Sequence, residues 1–244
     1  MEWKITKGVI CGVVNKHFSQ DSISVEPKDD YACVVMSDGA GSARCAREGS
    51  TFTTATVLDI VRQHKDSIFR YNMEAVREVI LDNLLVRLKQ KAKEEGNDMD
   101  DYMCTLMFFI TNGERYIIGN LGDGLIGCMN KDNEGRVLSL PENGNYRNQT
   151  FFVTQPEEAY KHLRIGMGRY DDSQVYFLMT DGSADCLYNF GKGFFANALS
   201  VFCQWTRLYN PHEVNDVLLK AMYKLFPQKT KDDCALAMIY LDKR

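Results

Sequence analysis

Apolar positions along this chain follow two different periods. Between residues 73 and 94, Val76, Ile80, Leu84 and Leu88 recur at four-residue steps with Val79 and Leu85 beside them, while Arg77, Glu78, Asp82, Arg87 and Lys89 occupy the other side. That pattern predicts an amphipathic helix packed by one face. A helix from about Arg44 to Gln63 precedes it, and Lys91 to Asp101 is a charged loop that ends the helical section. Pro211 to Phe226 places Val214, Val217, Leu218, Ala221, Met222 and Leu225 on one stripe behind an initial proline, which predicts a further helix. A weaker one is expected between 193 and 208.

Elsewhere the apolar residues come as short runs with β-branched and aromatic content, the mark of buried strands. They cover 8 to 14, 22 to 26, Tyr31 to Ser37, Met103 to Thr111, Arg115 to Leu121, 124 to 129, 136 to 140, Gln174 to Thr180 and Cys234 to Leu241. Asn112-Gly113 reads as the turn of a hairpin. Pro141 to Gly168 is polar and irregular with one strand-like insert, Thr150 to Thr154, and is expected to handle substrate. Strands, two helices, many strands, then helices and a closing strand is not the alternation of a doubly wound fold. It predicts an α+β domain over residues 1–244, with antiparallel sheets and helices packed outside them.

Composition narrows the function classes. A formal net charge of -4 argues against nucleic acid as the main partner. No segment approaches the ~20 apolar residues of a membrane span, and the N-terminus lacks the apolar core of a signal peptide. The eight cysteines show no Cys-x-x-Cys pair and no zinc spacing, so they read as small buried hydrophobes in a reducing, cytoplasmic setting. His64, His162 and His212 fall at helix ends or in loops and are expected in solvent.

The chemistry is carried by a recurrence. Three of the strand-like runs end on the same dipeptide, Asp38-Gly39, Asp123-Gly124 and Asp181-Gly182, and the last run is preceded by Asp232-Asp233. A lone Asp-Gly is most simply a turn. Three of them at strand ends, joined by an acidic pair, predict carboxylates gathered in one place. Two carboxylates about 4 Å apart repel by roughly 4 kcal/mol at an effective dielectric near 20, so the group calls for a cation. The donors are hard oxygens with no histidine or thiolate pair spaced to help, which selects Mg²⁺ or Mn²⁺. Thiolate phosphatase chemistry is excluded, because none of the cysteines is followed six residues later by arginine.

Gln20-Asp21, Ser37-Asp-Gly-Ala-Gly-Ser42, Cys104-Thr105, Gly119-Asn-Leu-Gly-Asp123, Met179-Thr-Asp-Gly182 and Asp232-Asp233, in this order, resemble the type 2C metal-dependent serine/threonine protein phosphatases. Asp38-Gly-Ala-Gly-Ser42 together with Glu142 to Thr150 is similar to a compact bacterial branch of them. The resemblance implies a four-layer sandwich, two central antiparallel sheets flanked by helices, with two or three Mn²⁺ or Mg²⁺ ions in the cleft. It implies that Asp38 bridges two metals, that Asp181 and Asp232 hold the first, that Asp21 and the Gly39 carbonyl hold the second, and that Asp123 joins Asp181 at a third. Asp232 rather than Asp233 is taken as the terminal ligand, with a one-residue shift left open. It further implies hydrolysis of phosphoserine or phosphothreonine on proteins by a metal-activated water, in a monomer working opposite a serine/threonine kinase.

Two positions depart from the family pattern. Lys16 stands where an arginine commonly binds the substrate phosphate, and Ala40 stands where larger members carry a histidine. Lys16 and His17 are therefore the candidate phosphate contacts, with a structural role open for His17. Arg44 and Arg47 follow the glycine turn within possible reach of a phosphate. A catalytically silent phosphoprotein-binding module and a small-metabolite phosphatase are the alternative readings.

Overall fold

The computed structural model describes residues 2–12, 18–142 and 150–243. In chain order the elements are β1 (Glu2–Ile10), β2 (Ser22–Pro27), β3 (Ala32–Ser37), α1 (Ala46–His64), α2 (Met73–Glu95), β4 (Leu106–Thr111), β5 (Arg115–Leu121), β6 (Leu125–Met129) and β7 (Gly135–Ser139). The second half adds α3 (Pro156–His162), β8 (Arg164–Arg169), β9 (Val175–Met179), α4 (Asp181–Leu187), the short pair β10 (Tyr188–Asn189) and β11 (Phe194–Phe195), α5 (Asn197–Leu208), α6 (Pro211–Leu225) and β12 (Cys234–Asp242). Two five-stranded antiparallel sheets result, ordered β1-β12-β9-β6-β7 and β2-β3-β4-β5-β8.

Each central strand is buried on both faces, which is why its sequence reads as an unbroken apolar run. Along β3, Cys33 and Val35 point to the helix side while Ala32, Val34 and Met36 point to the opposite sheet. Along β12, Cys234, Leu236 and Met238 face helices while Ala235, Ala237 and Ile239 face the other sheet. Three apolar layers follow: one between α1, α2 and the second sheet, one between the sheets, and one between α5, α6 and the first sheet. This is the expected α+β sandwich of four layers. Away from the acidic strand ends, an aromatic cluster fills the gap between sheets, with Tyr176 packed on Tyr170 and Phe109 at centroid separations of 4.9 and 4.7 Å.

The helices obey local rules. Val76, Ile80, Leu84 and Leu88 are all fully buried. Asn72 caps α2 by accepting the Ala75 N–H at 2.8 Å, and Gly96 ends it in the left-handed region at φ 69°. The predicted hairpin turn holds, with Gly113 at φ 82° and Asn112 Oδ1 accepting the amides of Glu114 and Arg115.

Several expectations are corrected. The first strand begins at Glu2 and ends at Ile10, so it does not run from 8 to 14. Thr150 to Thr154 is not a strand, and the stretch read as irregular contains α3 and β8. On α6 the stripe is narrower than predicted, since Val217 and Leu225 are exposed. Among the described residues no helix is long and apolar enough to cross a membrane.

Where α1 meets the chain just before β4, contact is close enough to override helix propensity. Gly49 lies inside α1, where alanine would by itself favour the helix by about 1 kcal/mol. A Cβ there would stand 2.4 Å from the Tyr102 carbonyl oxygen. Gly49→Ala is expected to destabilise the fold by about 1–3 kcal/mol in a denaturant melt; a stabilised variant would contradict this packing.

Candidate metal centre

Strand register brings the acids together. Ser22 at the start of β2 pairs with Ser37 at the end of β3, and Leu106 at the start of β4 pairs with Leu121 at the end of β5. In the other sheet Cys234 at the start of β12 pairs with Ile10 at the end of β1, and Met179 at the end of β9 lies between Leu236 and Leu125. One rim of both sheets therefore carries Asp21 before β2, Asp38 after β3, Asp123 after β5, Asp181 after β9 and Asp232-Asp233 before β12. Antiparallel pairing sets the ends within each sheet, and the apolar layer between the sheets brings the two rims together.

Carboxylate oxygens of Asp38, Asp123 and Asp181 lie within 4.8 Å of one another. Asp38 is fixed by its backbone, its N–H donating to Thr105 Oγ1 at 2.9 Å and its carbonyl accepting the Thr105 N–H at 2.8 Å. The Thr150 hydroxyl donates to Asp123 Oδ2 at 2.6 Å. Asp181 opens α4, where the Gly182 N–H donates to its Oδ1 at 2.6 Å. Gly182 itself is required, because a Cβ there would meet the Asp233 carbonyl oxygen at 2.2 Å. Asp21, only 7% exposed, lies against Asp38 and accepts the Thr180 hydroxyl at 2.8 Å through Oδ2. Among the described residues its buried Oδ1 has no hydrogen-bond partner.

Electrostatics follow from that geometry. Burial, then the charges of Asp181 and Asp233, push the Asp21 carboxyl up to about 8 in spite of hydrogen bonds with Asp38 and Thr180 that oppose the rise. Burial, then Asp38, Asp123 and Asp232, push Asp181 up to about 9. Asp38 is driven well above the carboxylate range by burial and by Asp21, Asp123 and Asp232. Without a counter-charge, Asp21 and Asp181 hold protons at neutral pH. An orphaned buried oxygen on Asp21 beside three converging hard-oxygen donors fits a divalent cation of the Mg²⁺ or Mn²⁺ class.

The structure separates the two acids of the terminal pair. Asp233 is buried at 3% exposure and accepts the amides of Gly12 at 2.7 Å and Gln20 at 2.6 Å, bracing β1 and β2 against the start of β12. Asp232 is exposed and lines the cavity above Asp38 and Asp181. The family resemblance singled out Asp232 with a one-residue shift left open; what distinguishes the two in the structure is a pair of amides more than two hundred residues away. Gly39 also lines the cavity, and a Cβ on it would strike the Ala46 carbonyl at 2.5 Å.

Lys16 and His17 lie outside the described residues. Arg44 turns away from the site, hydrogen-bonded to Asn97 and near Asp101. Arg47 lies over the Phe18 ring at 4.5 Å. His162 is not in solvent: it stacks on Phe151 at 3.6 Å and meets Glu142 at 2.9 Å and Glu158 at 3.2 Å. Roles not foreseen from the sequence belong to the hydroxyls of Thr105, Thr150 and Thr180, whose partners come from distant strands.

The acids floor a cavity of about 260 Å³. A wider hollow of about 900 Å³ shares Ser42, Thr150 and Phe152 with it and continues past Gln155 to Glu157. The arrangement offers a small anionic pocket beside a wider hollow that shares three of its lining residues.

In metal-free denaturant melts, Asp233→Ala is expected to cost about 1–3 kcal/mol, because two part-buried amides lose their acceptor. Asp232→Ala removes only the acceptor of the Asp233 N–H at 2.8 Å and is expected to cost less, about 1 kcal/mol or under. The reverse order would mean the two roles are exchanged.

Comparison with known proteins agrees with the geometry. No curated protein matches the chain by sequence. Among solved structures, a serine/threonine phosphatase from S. agalactiae superposes with a TM-score of 0.68 at 16% identity, over 98% of this chain and 100% of that one. The catalytic domain of the serine/threonine protein phosphatase PstP, in complex with two manganese ions, gives 0.65 at 13% identity over 98% of each chain. RsbX in complex with magnesium gives 0.60 at 14% identity, over 99% of this chain and 96% of that one. These likenesses establish the fold. The family model described as protein phosphatase 2C matches residues 13–222, and the chain belongs to the protein phosphatase 2C family.

Proposed function

We propose that this protein hydrolyses phosphate monoesters of serine and threonine on proteins, with Mn²⁺ or Mg²⁺ held by the acids at the sheet rim. The observation that carries the reading is the meeting of Asp38, Asp123 and Asp181 within 4.8 Å beside the orphaned Oδ1 of Asp21. Asp38, Asp21, Asp181 and Asp232 are the catalytic acids in this reading, and Asp123 and the Gly39 carbonyl complete the metal shell. When bound, the ions neutralise this charge and acidify a water for in-line attack on phosphorus.

The chain's own residues supply the frame. Thr105 fixes the Asp38 backbone, Thr150 and Thr180 orient Asp123 and Asp21, and Asp233 holds Gln20, a cavity residue, next to Asp21. Ala40 lines the cavity without a proton to give, so leaving-group protonation does not come from that position. The adjoining hollow gives a peptide room beside the phosphate pocket, which favours a protein substrate over a small metabolite. Family membership and the manganese and magnesium of the structural neighbours support the same reading. A cytoplasmic monomer opposing a serine/threonine kinase completes it.

Purified protein with Mn²⁺ is expected to release phosphate from an aryl phosphate and from phosphoserine and phosphothreonine peptides. Chelation is expected to stop it, and Asp38→Ala to lower the rate more than about a hundredfold. Equal turnover by parent and variant, or none by either with any metal, would favour a silent binding module; turnover of phosphometabolites alone would move the substrate class.

The raised acids also set a pH dependence. In chelated protein the folded state keeps protons on Asp21 and Asp181 that the unfolded chain releases above its ordinary carboxylate range near 3.8. Their contribution to stability is therefore fully present below that range and is lost as pH rises towards about 8 to 9. Melting temperature in chelator is expected to fall between about pH 5 and pH 8.5, and saturating Mn²⁺ to remove the fall. A chelated protein that grows more stable across that window would contradict the charge cluster.

A further inference from the structure

At the other end of the second sheet lies a cluster of the opposite sign. A hollow of about 390 Å³ is lined by Arg70, Arg115 and Arg169, with Phe69, Tyr71 and Met167 among its walls. Arg115 opens β5 and Asp123 follows the end of that strand, so at about 3.3 Å per residue the hollow is on the order of 25 Å from the acidic rim. It is a separate place on the molecule.

Register makes the cluster unusual. Arg115 of β5 and Arg169 of β8 are directly opposite each other. Opposed residues of an antiparallel pair project from the same face, so two arginines leave the sheet as direct neighbours, an arrangement that disfavours strand pairing unless something neutralises it. Arg70, from the single 3-10 turn Ile68–Arg70 before α2, joins them in the hollow. All three are exposed, and among the described residues none of them forms an ion pair with a carboxylate. Among the described residues, the one hydrogen bond of the three guanidiniums is a long contact of 3.5 Å from Arg115 to the Phe69 carbonyl. The acids that follow Arg169 are engaged elsewhere, Asp171 by Ser173 and Gln174 and Asp172 by Lys243. A chain with net charge -4 thus concentrates three unneutralised arginines in one concave site.

We infer that this hollow is a second anion site, built to take a phosphate ester dianion remote from the metal centre. Guanidinium forks match the several equivalent oxygens of a phosphate, whereas a single carboxylate would satisfy only one of the three. The walls of Phe69, Tyr71 and Met167 give the organic part of an ester an apolar surface. The phosphate belongs either to a phosphorylated protein segment or to a free phosphorylated small molecule such as a nucleotide, and the chemistry of recognition is common to both.

The test uses full-length Asp38→Ala protein in chelator, which leaves the metal centre unable to contribute, so that its outcome does not depend on hydrolysis. A fluorescent phosphoserine peptide, its unphosphorylated twin, ATP and inorganic phosphate are the probes, read by anisotropy and by calorimetry. Phosphorylated probes are expected to bind, and Arg115→Ala with Arg169→Ala to weaken them roughly tenfold or more, with lysine at both positions restoring part of the loss. Melting curves of the alanine and lysine variants control for folding, and amide shifts of Phe69, Tyr71 and Met167 in the parent on phosphate addition provide a second readout. Binding of the phosphopeptide alone assigns the site to a protein partner, and competition by ATP or phosphate assigns it to a free anion. No binding of any phosphorylated probe, or binding that is unchanged when both arginines are removed, would overturn the site.

Discussion

Mutual repulsion among aspartates at one rim of two sheets is the constraint that organises this molecule. Register delivers Asp21, Asp38, Asp123 and Asp181 to the same edge whatever their local preferences, and burial then raises the cost of keeping them charged. Much of the surrounding polar structure answers that problem. Threonine hydroxyls donate to Asp21 and Asp123, a backbone amide donates to Asp181, and the other oxygen of Asp21 is buried with no hydrogen-bond partner among the described residues.

The stability that offsets this strain comes from elsewhere in the sandwich. Three apolar layers cover both faces of the central strands, and the aromatic cluster around Tyr176 fills the space between sheets away from the acids. Asp233 shows how the two requirements meet in one motif. It adds negative charge close to Asp21, yet its two charge-assisted bonds to Gly12 and Gln20 tie both sheets together where repulsion is strongest. The chain therefore has an acidic rim and, at the far end of β5, a basic hollow whose arginines form no ion pair among the described residues.

Much of this was legible in the sequence because strands buried on both faces leave unbroken apolar runs, and each of β3, β5 and β9 ends on Asp-Gly. The four-step stripe of Val76, Ile80, Leu84 and Leu88 marked α2 for the same kind of reason. What was not legible depends on contacts between distant segments or on weak local signals. β8, Arg-Ile-Gly-Met-Gly-Arg, has two glycines and charged ends and no alternation to read. α4 is seven residues long, and its start, Asp-Gly-Ser, looks like a turn. The division of labour between Asp232 and Asp233 is set by amides of Gly12 and Gln20, which no local pattern records. The arginine hollow was missed because Arg115 and Arg169 become neighbours only through the register of β5 with β8.

Proton release on metal binding tests the convergence of the acids most directly. Calorimetric titration of the metal-free protein with Mn²⁺ near pH 7, in two buffers of different ionisation enthalpy, counts the protons displaced. Acids that hold protons until a cation arrives predict a net release that is smaller in Asp21→Asn. Metal binding with no proton release, or a release untouched by that substitution, would show that the aspartates are already ionised and apart.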